Sequence, residues 1–161
     1  MRTRIALLLA LCFVAVASFG EDLQSPFTKK RPLGVPSDAA FFNGKWYKVY
    51  LEREVKWNVA RDKCGYLGGQ LCVIHDQPTQ DFVRGLAKGL ELWLGATDEK
   101  VEGLWKWVDG TEMKYKAWSK YQPDNAAGAE NYLEIARNGA WNDLSLKSKA
   151  VVGYICEWKD K

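Results

Sequence analysis

The sequence is short of the residues on which catalysis most often rests. A single histidine, His75, occurs in 161 residues. It follows the apolar run Leu71 to Ile74 and precedes Asp76, a helix-capping residue, so it reads as a structural or surface side chain. Ser119, Ser145 and Ser148 fall in loop sequence with no histidine near them, and neither Gly-x-Ser-x-Gly nor a zinc-ligand spacing occurs. Glu130 and Glu134 have the residue types of a glycosidase pair, but strand alternation groups them with Tyr132 on one face, which is ordinary strand patterning. The chain therefore reads as a binding protein and not as an enzyme.

Long apolar runs are also scarce. The one that stands out, Ile5 to Val16, follows Arg2 and Arg4 and leads into small residues, the layout of a secretory signal peptide over residues 1–20 with a mature start near Glu21. It is too short to span a bilayer, and no later stretch is long enough, so membrane insertion is not expected. The expected location is secreted: extracellular, or periplasmic in a bacterium. An excess of one charge is missing too, because losing Arg2 and Arg4 with the leader leaves 21 basic against 20 acidic residues, or +1. Nothing in that balance points to nucleic acid.

Cysteine is sparse and, after the leader, odd in number. Cys12 would leave with the signal, and its bulky neighbour Leu11 speaks against a lipoprotein site. The remaining three fit one disulfide and one thiol in an oxidising compartment. Cys64 and Cys156 stand near the two ends of the globular region, and a bridge between them would close a loop worth about 4 to 5 kcal/mol in the chain-entropy model. Cys72, between Leu71 and Val73, reads as a buried thiol acting as a small hydrophobe.

What is abundant is aromatic: eight Trp and seven Tyr, enough to dominate a single core. Residues 21–38 carry three of the five prolines and the run Lys29-Lys30-Arg31, and read as a linker. Residues 39–158 read as one domain, and 159–161 as a tail. Lys45 to Glu52 alternates as a first strand, and Glu54 to Tyr66 has helical spacing. "QLCVIH" reads as a buried strand, and a second helix opens at Asp76 with Pro78 in its first turn and Phe82, Leu86 and Leu90 recurring. "ELWLGATD", "LWKWVDGT", "NYLEIAR" and "VVGYICEW" are strand-like runs separated by Gly, Asp and Asn turns. Between Trp118 and Glu130 lies a long polar loop, of the kind that is usually functional in a compact domain. The fold class is α+β: two helices, small antiparallel sheets and a long loop.

From about residue 41 to 158 the chain resembles a C-type lectin domain. The resemblance rests on Trp57-Asn58-Val59-Ala60 ahead of Cys64, Gly68-Gly69-Gln70-Leu71, "WLGATD" (93–98), "EGLWKWVDGT" (102–111), Gln122-Pro123-Asp124, Trp141-Asn142-Asp143 and "YICE" (154–157). It implies a Cys64 to Cys156 bridge and a loop calcium ion held by Gln122, Asp124, Glu130, Asn142 and Asp143, with a cis Gln122-Pro123 bond. Three carboxylates and two amide oxygens suit a hard cation that accepts six to eight oxygen ligands and leave room for sugar hydroxyls. A second family ion site maps to Asp98, Glu102, Asn125 and Asn131. Its two amides remove charge, so it is expected to be weak or empty, with Asp98 and Glu102 as ordinary loop carboxylates.

The resemblance also implies a ligand. Gln122-Pro123-Asp124 goes with galactose or N-acetylgalactosamine, since the order of amide and acid sets donors and acceptors across the site. The aromatic that stacks on such sugars is replaced by Ala126, so useful binding is expected to need an extended glycan or a glycoprotein. A second family disulfide falls at Tyr132 and Leu146, where apolar packing would have to substitute. Trp105, Trp107 and Trp141 match core positions, which leaves Trp118 as the open aromatic. The competing reading is a lectin-like domain that binds a protein partner, with calcium structural or absent. For a third, binding to ice or mineral, the sequence has nothing specific either way.

Overall fold

The computed structural model describes residues 30–160; the expected signal peptide, residues 21–29 of the linker and Lys161 lie outside the described residues. In chain order the elements are β1 (Ala40–Phe42), β2 (Lys45–Leu51), α1 (Trp57–Tyr66), β3 (Gln70–Leu71), α2 (Gln77–Ala87), β4 (Leu92–Thr97), β5 (Lys106–Trp107), β6 (Tyr132–Ile135), β7 (Trp141–Leu144) and β8 (Gly153–Lys159), with a short 3-10 turn at Ala126–Gly128. The α+β class is as expected from sequence.

The hairpin between β1 and β2 turns at Asn43-Gly44, both at positive φ, as a two-residue hairpin turn requires. β2 then pairs antiparallel with β8 from Lys45↔Lys159 to Leu51↔Gly153, which ties the two ends of the domain together. Beyond that pair the arrangement differs from small separate antiparallel sheets. One connected sheet runs β1-β2-β8-β4-β6-β7, with β3 on β8 and β5 on β4. Its β4 and β8 are parallel, through Leu92↔Gly153 and Trp93↔Tyr154. A parallel pair needs a long crossover, and the chain between β4 and β8, which includes the polar loop, supplies it.

The helices start where the backbone lets them. α1 begins at Trp57 and not at Glu54, because Glu54 has a positive φ of 57° and Lys56 is extended. α2 begins as the sequence indicates: Asp76 Oδ1 accepts from the Thr79 amide at 2.8 Å, and Pro78 sits in the first turn. Its buried residues are Thr79, Gln80, Val83 and Ala87, while Phe82 and Leu86 form the half-buried border. "QLCVIH" makes only a two-residue ladder. Cys72 to Ile74 are fully buried all the same, because the Cys72 amide donates to Ile155 O and its carbonyl accepts from Gly95 N, both at 2.8 Å.

Alternation along β4 feeds two cores. Leu92, Leu94 and Ala96 pack with Val83, Ala87, Leu133, Ile135, Trp141 and Ile155. Trp93 packs on the other side with Trp57, Ala60, Cys64, Tyr154, Cys156 and Trp158. Tyr132 belongs to this second core, with Leu146 packed against it, so apolar contact occupies the place of the second family bridge. Val35 and Ala39, one inside and one just after the segment read as linker, are also buried there.

Cys64, Cys72 and Cys156 are fully buried, and the Cys64 and Cys156 side chains are neighbours within hydrogen-bond reach of each other. Packing sets their juxtaposition, whereas joining them is a two-electron oxidation that depends on the surroundings. Cys72 is held neutral by burial and by the nearby Glu157 carboxylate.

Gly95 marks the tightest crossing. A Cβ there would lie 2.7 Å from Leu71 O, 2.9 Å from Val108 Cγ2 and 3.0 Å from Cys72 O. Gly95→Ala is expected to lower stability by about 1 to 3 kcal/mol, as overpacking does. Urea unfolding of the two proteins checks this, and equal midpoints would show that the crossing has slack.

Candidate functional site

The site is built on the hairpin of β6 and β7, and that hairpin is fixed from beneath. Gln80 of α2, 4% exposed, accepts from Trp141 Nε1 at 2.8 Å and donates to Gly139 O at 2.7 Å. One buried amide thus holds both the turn and the first residue of β7. The Trp141 backbone also bonds to Ala117 O and Ser119 N, each at 2.8 Å, which lays the start of the long loop beside β7. Trp118 is packed edge-on to Trp105 and Trp141, which makes it a wall of the core and not a free aromatic surface.

Three carboxylates converge where this loop folds back. Asp124, Glu130 and Asp143 each present an oxygen, and these atoms all lie within 4.8 Å of one another. Asp143, 1% exposed on β7, accepts from the amides of Asp124 at 3.2 Å and Asn125 at 2.8 Å. Glu130 accepts from the Ala126 amide at 3.2 Å. Burial pushes the Glu130 carboxyl above its ordinary range; the Ala126 amide opposes this, while Asp143 and Asp124 add to it.

Of the two amides expected at the site, Gln122 is bonded to the loop at Asp124 and Asn142 to Glu134 on β6. Gln122 Oε1 accepts from the Asp124 amide at 3.0 Å, and the Gln122-Pro123 bond is cis. Asn142 donates through Nδ2 to Glu134 Oε1 at 3.1 Å, so its oxygen is the atom left for another partner. The structure therefore brings Asp124, Glu130 and Asp143 together with Gln122 against Asp124, while Asn142, next to Asp143 on β7, is bonded to Glu134 across the hairpin.

Asn125 connects this cluster to a second one. In the left-handed region at φ 43°, it donates from Nδ2 to Glu102 Oε2 at 2.6 Å and accepts at Oδ1 from the Glu130 amide at 3.1 Å. Asp98 is not the ordinary loop carboxylate that its sequence suggests. It is 2% exposed, with Oδ2 accepting from the Gly103 amide at 2.8 Å and Oδ1 buried without a partner. Burial raises its pKa, the Gly103 amide opposes, and Asp143 adds a smaller push. Asn131 reaches Asp98 only through its carbonyl, 3.3 Å from the Asp98 amide.

The donor chemistry fits a hard divalent cation. Two oxygens each about 2.4 Å from one calcium ion lie no more than about 4.8 Å apart, and carboxylate and amide oxygens are the ligands such ions take. Without a cation, each pair of these carboxylates repels by about 1 kcal/mol in a water-like medium and by more where water is excluded.

Two residues of the site were not legible as such. Glu134 looks like routine strand alternation but is 3% exposed, and its Oε2 has no partner. Burial raises its pKa to about 7, against the Asn142 hydrogen bond. Gln80 is one polar residue among several on a helix, and only its two bonds reveal its role. The signal for Glu134 was an acid in the middle of "YLEI"; for Gln80 there was none.

The raised Glu134 pKa makes a stability prediction. The folded domain binds this proton more tightly than the unfolded chain, so the contribution is full below about pH 4.5 and is lost as pH rises through about 7. In calcium-free buffer the wild type should lose on the order of 1 to 3 kcal/mol between about pH 5 and pH 7.5 from this group, and Glu134→Gln should not. Chemical unfolding across that range tests it; parallel curves for the two proteins would place the Glu134 pKa in the ordinary range.

Comparison with known proteins agrees with this geometry. The family model "Lectin C-type domain" matches residues 53–158. Hepatic lectin of Gallus gallus is 31% identical over 119 residues, covering 73% of this chain and 56% of that protein. The galactose-specific lectin nattectin of Thalassophryne nattereri is 37% identical over 99 residues, covering 58% of this chain and 62% of that protein. This chain thus spans somewhat over half the length of those relatives. Among solved structures, the mouse scavenger receptor C-type lectin carbohydrate-recognition domain superposes with a TM-score of 0.72 at 30% identity, covering 78% of this chain and 97% of that one. The match over 53–158 and the shared fold lead to one conclusion: the chain belongs to the C-type lectin domain family.

Proposed function

We propose that this protein is a secreted, calcium-dependent carbohydrate-binding domain that recognises galactose-type sugars. The convergence of Asp124, Glu130 and Asp143 around the Gln122-Pro123-Asp124 loop carries the reading. Gln122, Asp124, Glu130, Asn142 and Asp143 would hold one calcium ion through hard oxygen donors, and the ion would take two sugar hydroxyls in its remaining coordination positions. Gln122 on one side of the proline and Asp124 on the other present an amide and an acid to those hydroxyls, the order that the family resemblance associates with galactose or N-acetylgalactosamine. That a relative is named a galactose-specific lectin supports the choice.

A second reading, a domain that binds a protein partner with calcium structural or absent, draws on one observation. Ala126 is exposed and carries no ring to meet a sugar face. A protein-binding domain has no need of that ring, but it equally has no need of the converging carboxylates.

Calcium titration by calorimetry discriminates between the two. Wild type is expected to bind one ion in the sub-millimolar to millimolar range, and Asp124→Ala to lose that binding at least tenfold. Silence from the wild type would remove the sugar reading and leave the protein-binding one. The pH dependence has a definite sign: because Glu130 is held above its ordinary range, protons compete with the ion early, and calcium affinity should fall as pH drops below neutral toward 5. Affinity constant down to pH 4 would exclude Glu130 as a ligand. Binding to immobilised galactose should be abolished by chelator and restored by added calcium.

A further inference from the structure

Trp118, the aromatic left open by the sequence, is half-buried against the core, yet one exposed ring directly precedes Gln122 in the long loop. Tyr121 is 79% exposed and directly precedes Gln122. It occupies the third position of a turn closed by the Gln122 amide donating to Ser119 O at 3.0 Å, and its φ is +70°. A turn with positive φ at that position normally takes glycine, because a side chain there meets its own backbone. The turn is anchored, since Ser119 N bonds to Trp141 O on β7, one residue before Asn142. Lys120 lies with its ammonium 4.7 Å from the Tyr121 ring centroid and forms no ion pair among the described residues. The chain thus spends a strained position to hold a large ring in water, pinned by a cation on one face. Strain of this kind persists where the surroundings or a function require it, and a ring 79% exposed is not held there by burial.

We propose that Tyr121, steadied by Lys120, is the platform of a lateral subsite for the sugar unit next to the one held by the ion. This rests on the galactose-type ion-site reading above. The ring face not covered by Lys120 is free to stack on the apolar face of a pyranose, and the position before Gln122 sets it beside the ion-held sugar. Ala126, on the far side of the proline, has no such ring. The ligand class is therefore an oligosaccharide with a galactose-type terminal unit, and the selectivity is for chain length: a disaccharide over the corresponding monosaccharide.

The test compares lactose with methyl β-galactoside by calorimetry in saturating calcium, for the wild type and for Tyr121→Ala, Tyr121→Phe, Tyr121→Gly and Lys120→Ala. The wild type should favour the disaccharide by about 3- to 10-fold, the range expected of one aromatic stack. That ratio should fall to near one in Tyr121→Ala and Tyr121→Gly, survive in Tyr121→Phe, and be reduced in Lys120→Ala. Tyr121→Gly should at the same time keep or raise the melting temperature, because glycine relieves the turn; a merely structural tyrosine would lower it. A wild-type ratio of one, or a ratio unchanged by Tyr121→Ala while calcium-dependent binding persists, overturns the lateral subsite alone. If the wild type shows no calcium-dependent sugar binding, the ion-site reading falls and this proposal with it.

Discussion

The buried Gln80 amide is the constraint on which the binding end of this domain depends. Its oxygen holds the Trp141 indole and its nitrogen holds Gly139, so α2 is fastened to the hairpin that carries Asn142 and Asp143. Each group it pairs would otherwise be a polar atom in an apolar core, at a cost on the order of 1 to 3 kcal/mol. Trp141 in turn ties down Ala117 and Ser119 through its backbone, and that contact fixes the point from which the long loop departs. The loop has almost no apolar anchor of its own. Its shape is borrowed from β7 through Asp143, whose two oxygens gather the amides of Asp124 and Asn125.

This arrangement concentrates negative charge where the chain is least well packed. Asp124, Glu130 and Asp143 face one another, with Glu102 and Asp98 reached through Asn125 and Gly103. Amide donors offset part of the repulsion, and burial, with a smaller push from neighbouring carboxylates, still holds the Glu130 and Asp98 carboxyls above their ordinary range. A cation completes such a set more effectively than hydrogen bonds can, which is why ion binding and loop order are expected to be one process. Tyr121 adds a positive-φ side chain to the same loop, its ring left in water.

Most of the frame was legible in the sequence because it rests on local rules. The Asp76 cap with Pro78 and the alternation of "KWYKVYL" each follow from near-neighbour geometry, whereas β1 with its Asn43-Gly44 turn and the order of the strands were not anticipated. The start of α1 was misplaced because nothing local announces the positive φ of Glu54. β7 was not anticipated as a strand, since "WNDL" places two polar residues in its centre, of which Asp143 joins the carboxylate cluster. Glu134 was passed over because an acid in an alternating strand is normally solvated, and this one is not.

The sequence by itself determined the fold class, the family and the carboxylates that converge at the loop, because those depend on residue type, order and spacing. The tertiary structure alone decided which polar groups are buried and which ring is exposed. Gln80, Glu134 and Asp98 went inside, Trp118 went to the core and Tyr121 stayed in water. It also set Cys64 and Cys156 side by side across 92 positions of chain. Burial is set by contacts between residues far apart in the chain, such as Gln80 with Trp141 across 61 positions, and no local pattern encodes them.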